Sequence, residues 1–91
     1  MPAPPLPRME PDEVAGILTA FVNAHIMAPG RPMQPDDAFE PAGVDSMALL
    51  RILVFIEKRF GFWMPDEDLV EENLTSPRAL ANYICRRRTA P

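Results

Sequence analysis

The sequence predicts an all-α fold, a four-helix bundle of three longer helices and one short one, with a long loop between helices one and two. Three observations carry this. Twelve prolines leave four proline-free windows, 12–28, 42–64, 66–76 and 78–90, and proline breaks both helix interiors and central strands. Apolar residues recur at helical spacing inside those windows. Capping and stop residues stand at the window edges. With 91 residues, 47% apolar and 24% charged, the chain has material for one domain with one modest core.

Residues 1–10 read as a flexible Pro-rich tail, 11–87 as the domain and 88–91 as a C-terminal tail. The first helix is expected to begin near Pro11, which suits a first turn, with Asp12 and Glu13 at its positive end. Val14, Ile17, Leu18, Phe21, Val22 and His25 give it one apolar face, His25 lying at the core edge. Pro29, Gly30, Pro32, Pro35 and Pro41 forbid a helix through residues 29–45. A connection this long is usually functional or pinned by its own side chains, here Phe39 and Val44.

The second helix is expected from Ser46 to Phe60, with Gly61 as its stop. Leu50, Leu53, Ile56 or Glu57, and Phe60 trace its inward stripe. From Met47 to Ile56 every residue except Arg51 is apolar, so the helix must be covered on more than one side. The second cover is the 29–45 loop, a cargo or a partner protein. Next comes a short extended piece with Phe62 and Met64 inward and Trp63 outward, Trp63 being either a partner contact or a cover for the core edge. A short third helix is expected from Asp66, held by Leu69 and Val70. The last helix takes Thr75 or Ser76 as N-cap and Pro77 at its first position, with Leu80, Tyr83 and Ile84 inward.

Several function classes are disfavoured. One cysteine, Cys85, forms no internal disulfide, and one histidine far from it makes a zinc cluster improbable. No stretch approaches the roughly 18 apolar residues of a membrane span. Prolines occupy the place of a signal-peptide core, so a cytoplasmic location is expected. A net charge of −4 argues against nucleic-acid binding. Residues 36–72 carry ten acids against three bases, and 73–91 carry four bases and no acid. The acidic middle fits either basic partners or a solvated surface, and Arg86-Arg87-Arg88 complements a helix end. No nucleophile–base–orienter set and no glycine-rich phosphate loop is visible, so no catalytic residue is assigned.

What stands out is Gly43-Val44-Asp45-Ser46-Met47, directly before the apolar helix. A hydroxyl at Ser46 would be accessible, and a phosphodiester on it would face free backbone N–H groups and the positive helix end. Equally, Asp45 or Ser46 could serve only as an N-cap.

Over residues 11–87 the sequence resembles the acyl and peptidyl carrier protein family. Asp45-Ser46-Met47 stands where the family has Asp-Ser-Leu. Ile56-Glu57-Lys58-Arg59-Phe60-Gly61 is similar to its Leu-Glu-x-x-Phe-Gly, and Phe62-Trp63-Met64-Pro65-Asp66-Glu67-Asp68 to its Ile-x-Ile-Pro-Asp-Glu-Asp. Leu80 and Tyr83-Ile84 match its closing helix. The resemblance implies a 4′-phosphopantetheine arm from coenzyme A on Ser46, attached by a phosphopantetheinyl transferase that Asp45 helps to position with its metal. The arm's thiol would hold an acyl or aminoacyl group as a thioester for adenylating ligases or synthases. The chain itself would be a monomer that is not an enzyme. Helix two would be the partner surface, through Met47, Arg51, Val54 and Lys58, with Trp63 as a further contact. A helical interaction module without a prosthetic group is the competing reading.

Two features depart from the fatty-acid pattern of that family. Helix two carries one acid, Glu57, against Arg51, Lys58 and Arg59, so its partners are expected to read apolar contacts more than charge, and acidic recognition, if present, would shift to Asp36, Asp37, Glu40 and Asp66–Asp68. Met47 resembles the residue of D-alanyl and other stand-alone aminoacyl carriers, and Ala42-Gly43 supplies one glycine where peptide-synthetase carriers have two. Both point to an aminoacyl or small-acyl cargo.

Overall fold

The computed structural model describes residues 10–61 and 63–89. The flexible-tail expectation for 1–9 and the inward placement of Phe62 lie outside these residues. Three α-helices form the domain: α1, Pro11–His25; α2, Ser46–Phe60; and α3, Pro77–Thr89. No strand occurs among the described residues. α3 runs two residues past the expected domain edge at 87.

Local chemistry accounts for the helix ends. Pro11 opens α1, with Asp12 and Glu13 in its first turn. Asp45 caps α2, and Gly61 ends it at φ 83°, a left-handed conformation that favours glycine. Ser76 caps α3 by accepting from the Ala79 N–H at 3.1 Å.

The short third helix is corrected to two 3₁₀ turns, Asp66–Asp68 and Glu71–Asn73, with Leu69 and Val70 between them. Residues 66–72 hold five carboxylates. An α-helix would set Glu67 and Asp68 against Glu71 and Glu72 at repulsive i,i+3 and i,i+4 spacings. Leu69 packs against the core, whereas Val70 is 39% exposed rather than an inward contact.

The core joins all three helices. Val14, Ala15, Leu18 and Val22 come from α1, Ile52, Leu53, Ile56 and Phe60 from α2, and Leu80, Ala81, Tyr83 and Ile84 from α3. Met64 is buried and Trp63 exposed, as expected. His25 differs from its core-edge expectation. It is exposed, its ring centroid 4.9 Å from that of Phe21. Phe21 in turn stacks on Phe55 at 4.2 Å, which seals α1 against α2.

The α1–α2 connection is pinned at several points. Phe39 and Met33 are buried in the core, and Val44 is half-buried against it. Asn23 of α1 grips the Met33 backbone at both groups: its Oδ1 accepts from the N–H at 2.7 Å and its Nδ2 donates to the carbonyl at 3.0 Å. The Phe39 N–H donates to the Thr75 carbonyl, and the Arg78 N–H to the Pro35 carbonyl. Arg78 also pairs with Asp12 of α1 and, at 3.1 Å, with Asp36 of the loop. Both carboxylates hold its guanidinium pKa above the ordinary value.

Tyr83 is buried on α3 and donates its hydroxyl to Asp68, tying the first 3₁₀ turn to the helix. Burial first, then the Asp68 hydrogen bond and charge, push its pKa up from 10.0 to about 12. The neutral phenol is therefore the form the fold favours. Its contribution to stability is complete below pH 10 and is lost as pH rises through about 12. Tyr83 is the one tyrosine, so ultraviolet titration of tyrosinate reads it directly. The native midpoint should lie well above that of the urea-unfolded chain, and coincident midpoints would contradict the burial.

Candidate functional site

The loop delivers the chain to the start of α2 through a tight turn. The Gly43 N–H donates to the Glu40 carbonyl at 3.0 Å and the Val44 N–H to the Phe39 carbonyl at 3.0 Å. Gly43 stands at φ 90°, a conformation that a side chain would strain. Because Phe39 is anchored in the core, this turn fixes where Asp45 and Ser46 emerge.

Asp45 takes the capping role. Its Oδ1 accepts from the Ala48 N–H at 2.8 Å. Ser46 is thereby relieved of it: the residue is exposed at the first helical position. Its hydroxyl makes no hydrogen bond among the described residues. The sequence has two serines, and the other, Ser76, is buried with its hydroxyl engaged as the α3 cap. Ser46 is therefore the accessible serine, and the sequence alternatives for Asp45 and Ser46 separate into a cap and a free hydroxyl.

The surroundings suit a phosphodiester on that oxygen. The first turn of α2 contains no acid, and its leading N–H groups have no intrahelical acceptor. Helix polarity favours negative charge there. A depression of about 360 Å³ opens beside Ser46, lined by Phe39, Glu40, Val44, Asp45, Leu49 and Leu74. Leu74 was not a site candidate from sequence. It comes from beyond the second 3₁₀ turn, and no local pattern links it to Ser46.

The expected partner residues divide into two groups. At about 100° per residue, Met47, Arg51, Val54 and Lys58 lie along one line of α2. Met47 is 70% exposed, Arg51 and Lys58 are exposed, and Val54 is half-buried. Leu50 flanks the line and is 46% exposed, a correction to its expected place on the inward stripe. Ile52 is inward instead. Trp63 is exposed but follows the far end of α2, about 20 Å along the helix from Ser46. The structure does not bring it to the Ser46 end of the helix.

Several of the acids expected to form a recognition surface have structural work. Asp36 pairs with Arg78, Asp37 accepts from the Gln34 N–H at 2.8 Å, and Asp68 accepts from Tyr83. Glu40, Asp66 and Glu67 remain exposed. Among the described residues, no group of three or more His, Cys, Asp and Glu side chains is placed to hold a metal, and no helix is long and apolar enough to cross a membrane.

The cap on Asp45 is testable apart from any partner. Asp45→Ala should lower stability by about 1 kcal/mol through the lost Ala48 hydrogen bond. Asp45→Asn, which keeps an accepting oxygen, should cost much less. Urea denaturation measures both, and equal losses would mean that charge rather than capping stabilises the turn.

Comparison with known proteins gives consistent likenesses. A family model described as phosphopantetheine attachment site matches residues 18–84, a span that contains Ser46. The chain is 28% identical over 79 residues to a probable acyl carrier protein of Streptomyces halstedii, covering 87% of this chain and 84% of that one. It is 30% identical over 56 residues to a probable acyl carrier protein of Streptomyces coelicolor, covering 62% of each. A mitochondrial acyl carrier protein of Dictyostelium discoideum is 30% identical over 79 residues, which span 61% of its length. In fold, the chain is similar to one from a crystal structure of Bradyrhizobium japonicum glycine:[carrier protein] ligase complexed with glycylated carrier protein. That likeness has a TM-score of 0.62 at 18% identity, covering 79% of this chain and 95% of the other.

Proposed function

Since the chain belongs to the phosphopantetheine-attachment family of carrier proteins, we propose that Ser46 is its attachment residue and that it presents an acyl or aminoacyl group to partner enzymes. The group this family carries is 4′-phosphopantetheine, held covalently. One observation carries the assignment: Ser46 is the exposed serine, unengaged at the start of α2. Bound there, the arm supplies a terminal thiol that holds the cargo as a thioester.

The chain's own residues do the positioning. Asp45 holds the first turn and so sets the direction of the Ser46 Oγ. Gly43 and the buried Phe39 hold the loop that leads to it. The α2 N-terminus stabilises the phosphate charge. Asp45 and Glu40 add carboxylates beside the hydroxyl, where a phosphopantetheinyl transferase would bring its metal and coenzyme A. Tethering keeps the cargo at high effective concentration near a docked active site. The chain performs no bond-making step on the cargo, and it works as a cytoplasmic monomer.

An aminoacyl or small-acyl cargo, loaded by an adenylating ligase, fits best. Glu40 and Asp45 at the rim of the depression beside Ser46 suit an ammonium group. Incubation of the apo protein with coenzyme A and a promiscuous transferase should add the mass of one arm, and an unchanged mass rejects the proposal. The apolar exposure of Met47 and Leu50 also fits an interaction module without an arm. That reading predicts partner binding unaltered by Ser46→Ala.

A further inference from the structure

The outer face of α2 carries a charge pattern opposite to that of the whole protein. Along the line from Met47 to Lys58, apolar and basic residues alternate: Met47, Arg51, Val54, Lys58. Eleven helical rises make this line about 16 Å long, with the two cations about 10 Å apart. Glu57, the helix's acid, lies roughly 100° around the axis from Lys58. Arg51 and Lys58 make no ion pair among the described residues. Of the protein's acids, Asp12 and Asp36 pair with Arg78, Asp45 caps α2 and Asp68 accepts from Tyr83, while the exposed Glu40, Asp66 and Glu67 make no ion pair with Arg51 or Lys58.

We propose that the enzymes acting on this carrier meet α2 with an acidic surface, two carboxylates about 10 Å apart flanking an apolar socket that takes Val54, with a second apolar contact for Met47. The inference rests on the carrier reading above and names the chemistry of the partner. Its physical basis is desolvation. Met47 adjoins Ser46, so an active site that reaches the root of the arm covers Met47 and the next turn, where Arg51 lies. Covering a cation without a counter-charge costs several kcal/mol in principle, so the covering surface must supply the carboxylates. A neutral apolar partner would bury Met47, Leu50 and Val54 favourably but strand Arg51. A basic partner would meet like charge at two points.

The net charge of −4 opposes an acidic partner at long range, while screening limits that repulsion beyond about 8 Å at physiological salt. The local pairs are therefore read by charge reversal, not by ionic strength. Wild type and an R51E/K58E variant are first converted with coenzyme A and excess transferase until mass spectra read one arm each. A chain that takes no arm fails the carrier reading itself, whereas an armed chain carries the test forward. Both side chains are exposed, so the variant should stay folded, which circular dichroism checks, and R51Q/K58Q supplies a milder version.

The probes are a panel of adenylating enzymes whose docking faces are acidic in some members and basic in others. Acidic-faced members should charge the wild type. R51E/K58E should lower their kcat/KM about tenfold or more, and R51Q/K58Q by less. Lysines placed at the enzyme's two carboxylates should restore the reversed variant and impair the wild type. Charging by basic-faced members alone, by no acidic-faced member, or at equal rates for wild type and R51E/K58E overturns the proposal. In the last case the contact is apolar only.

Discussion

Ser46→Ala is expected to abolish cargo loading completely while leaving the protein folded. The residue is exposed and its hydroxyl holds nothing in the fold, so stability should change by no more than about 0.5 kcal/mol. Alanine is also a good helix former at this position. No other serine substitutes for it, because Ser76 is buried with its hydroxyl engaged. Loading is read with radiolabelled substrate and an adenylating enzyme, and folding by a thermal melt. A variant that melts like the wild type yet accepts no label separates attachment chemistry from structure. Residual label would place the arm on another residue.

Ile52→Ala is expected to cost about 2–5 kcal/mol, against a total of about 5–15 kcal/mol for a typical domain. Ile52 is 0% exposed in a core shared by all three helices, so truncation leaves a cavity in it. Leu50→Ala, on the same helix but 46% exposed, should cost less than about 1 kcal/mol. Urea midpoints at constant slope measure both. The contrast tests the rotation of α2 about its own axis. If Leu50→Ala proved the more damaging, α2 would be turned the wrong way and its outward line would not face partners.

That rotation is where the sequence was hardest to read. The limits of α2 were legible because Ser46 and Gly61 are chemically distinct from the run between them. Its inward face was not, because nine of the ten residues from Met47 to Ile56 are apolar and such a run has no strong period. The usable signal lay in the charges. Arg51 and Lys58 share one line, and Ile56 and Phe60 lie opposite it, both buried. The Met33 anchor escaped for a different reason. Asn23 grips its backbone from another element, and no local spacing encodes a contact made through tertiary folding. In the 66–76 window the absence of proline permitted a helix, but the density of carboxylates decided against it.

Ser46, the proposed attachment residue, was nominated by motif, and by physics only in part. Position alone left Asp45 and Ser46 as alternative caps. The Asp45–Ala48 hydrogen bond divides their roles, and Ser46 is left exposed with its oxygen free.

The most direct measurement is peptide mapping by tandem mass spectrometry after incubation with coenzyme A and a phosphopantetheinyl transferase. The account predicts a single added arm, located on Ser46 in the wild type and absent from Ser46→Ala. An unmodified chain, or an arm found on any other residue, would contradict it.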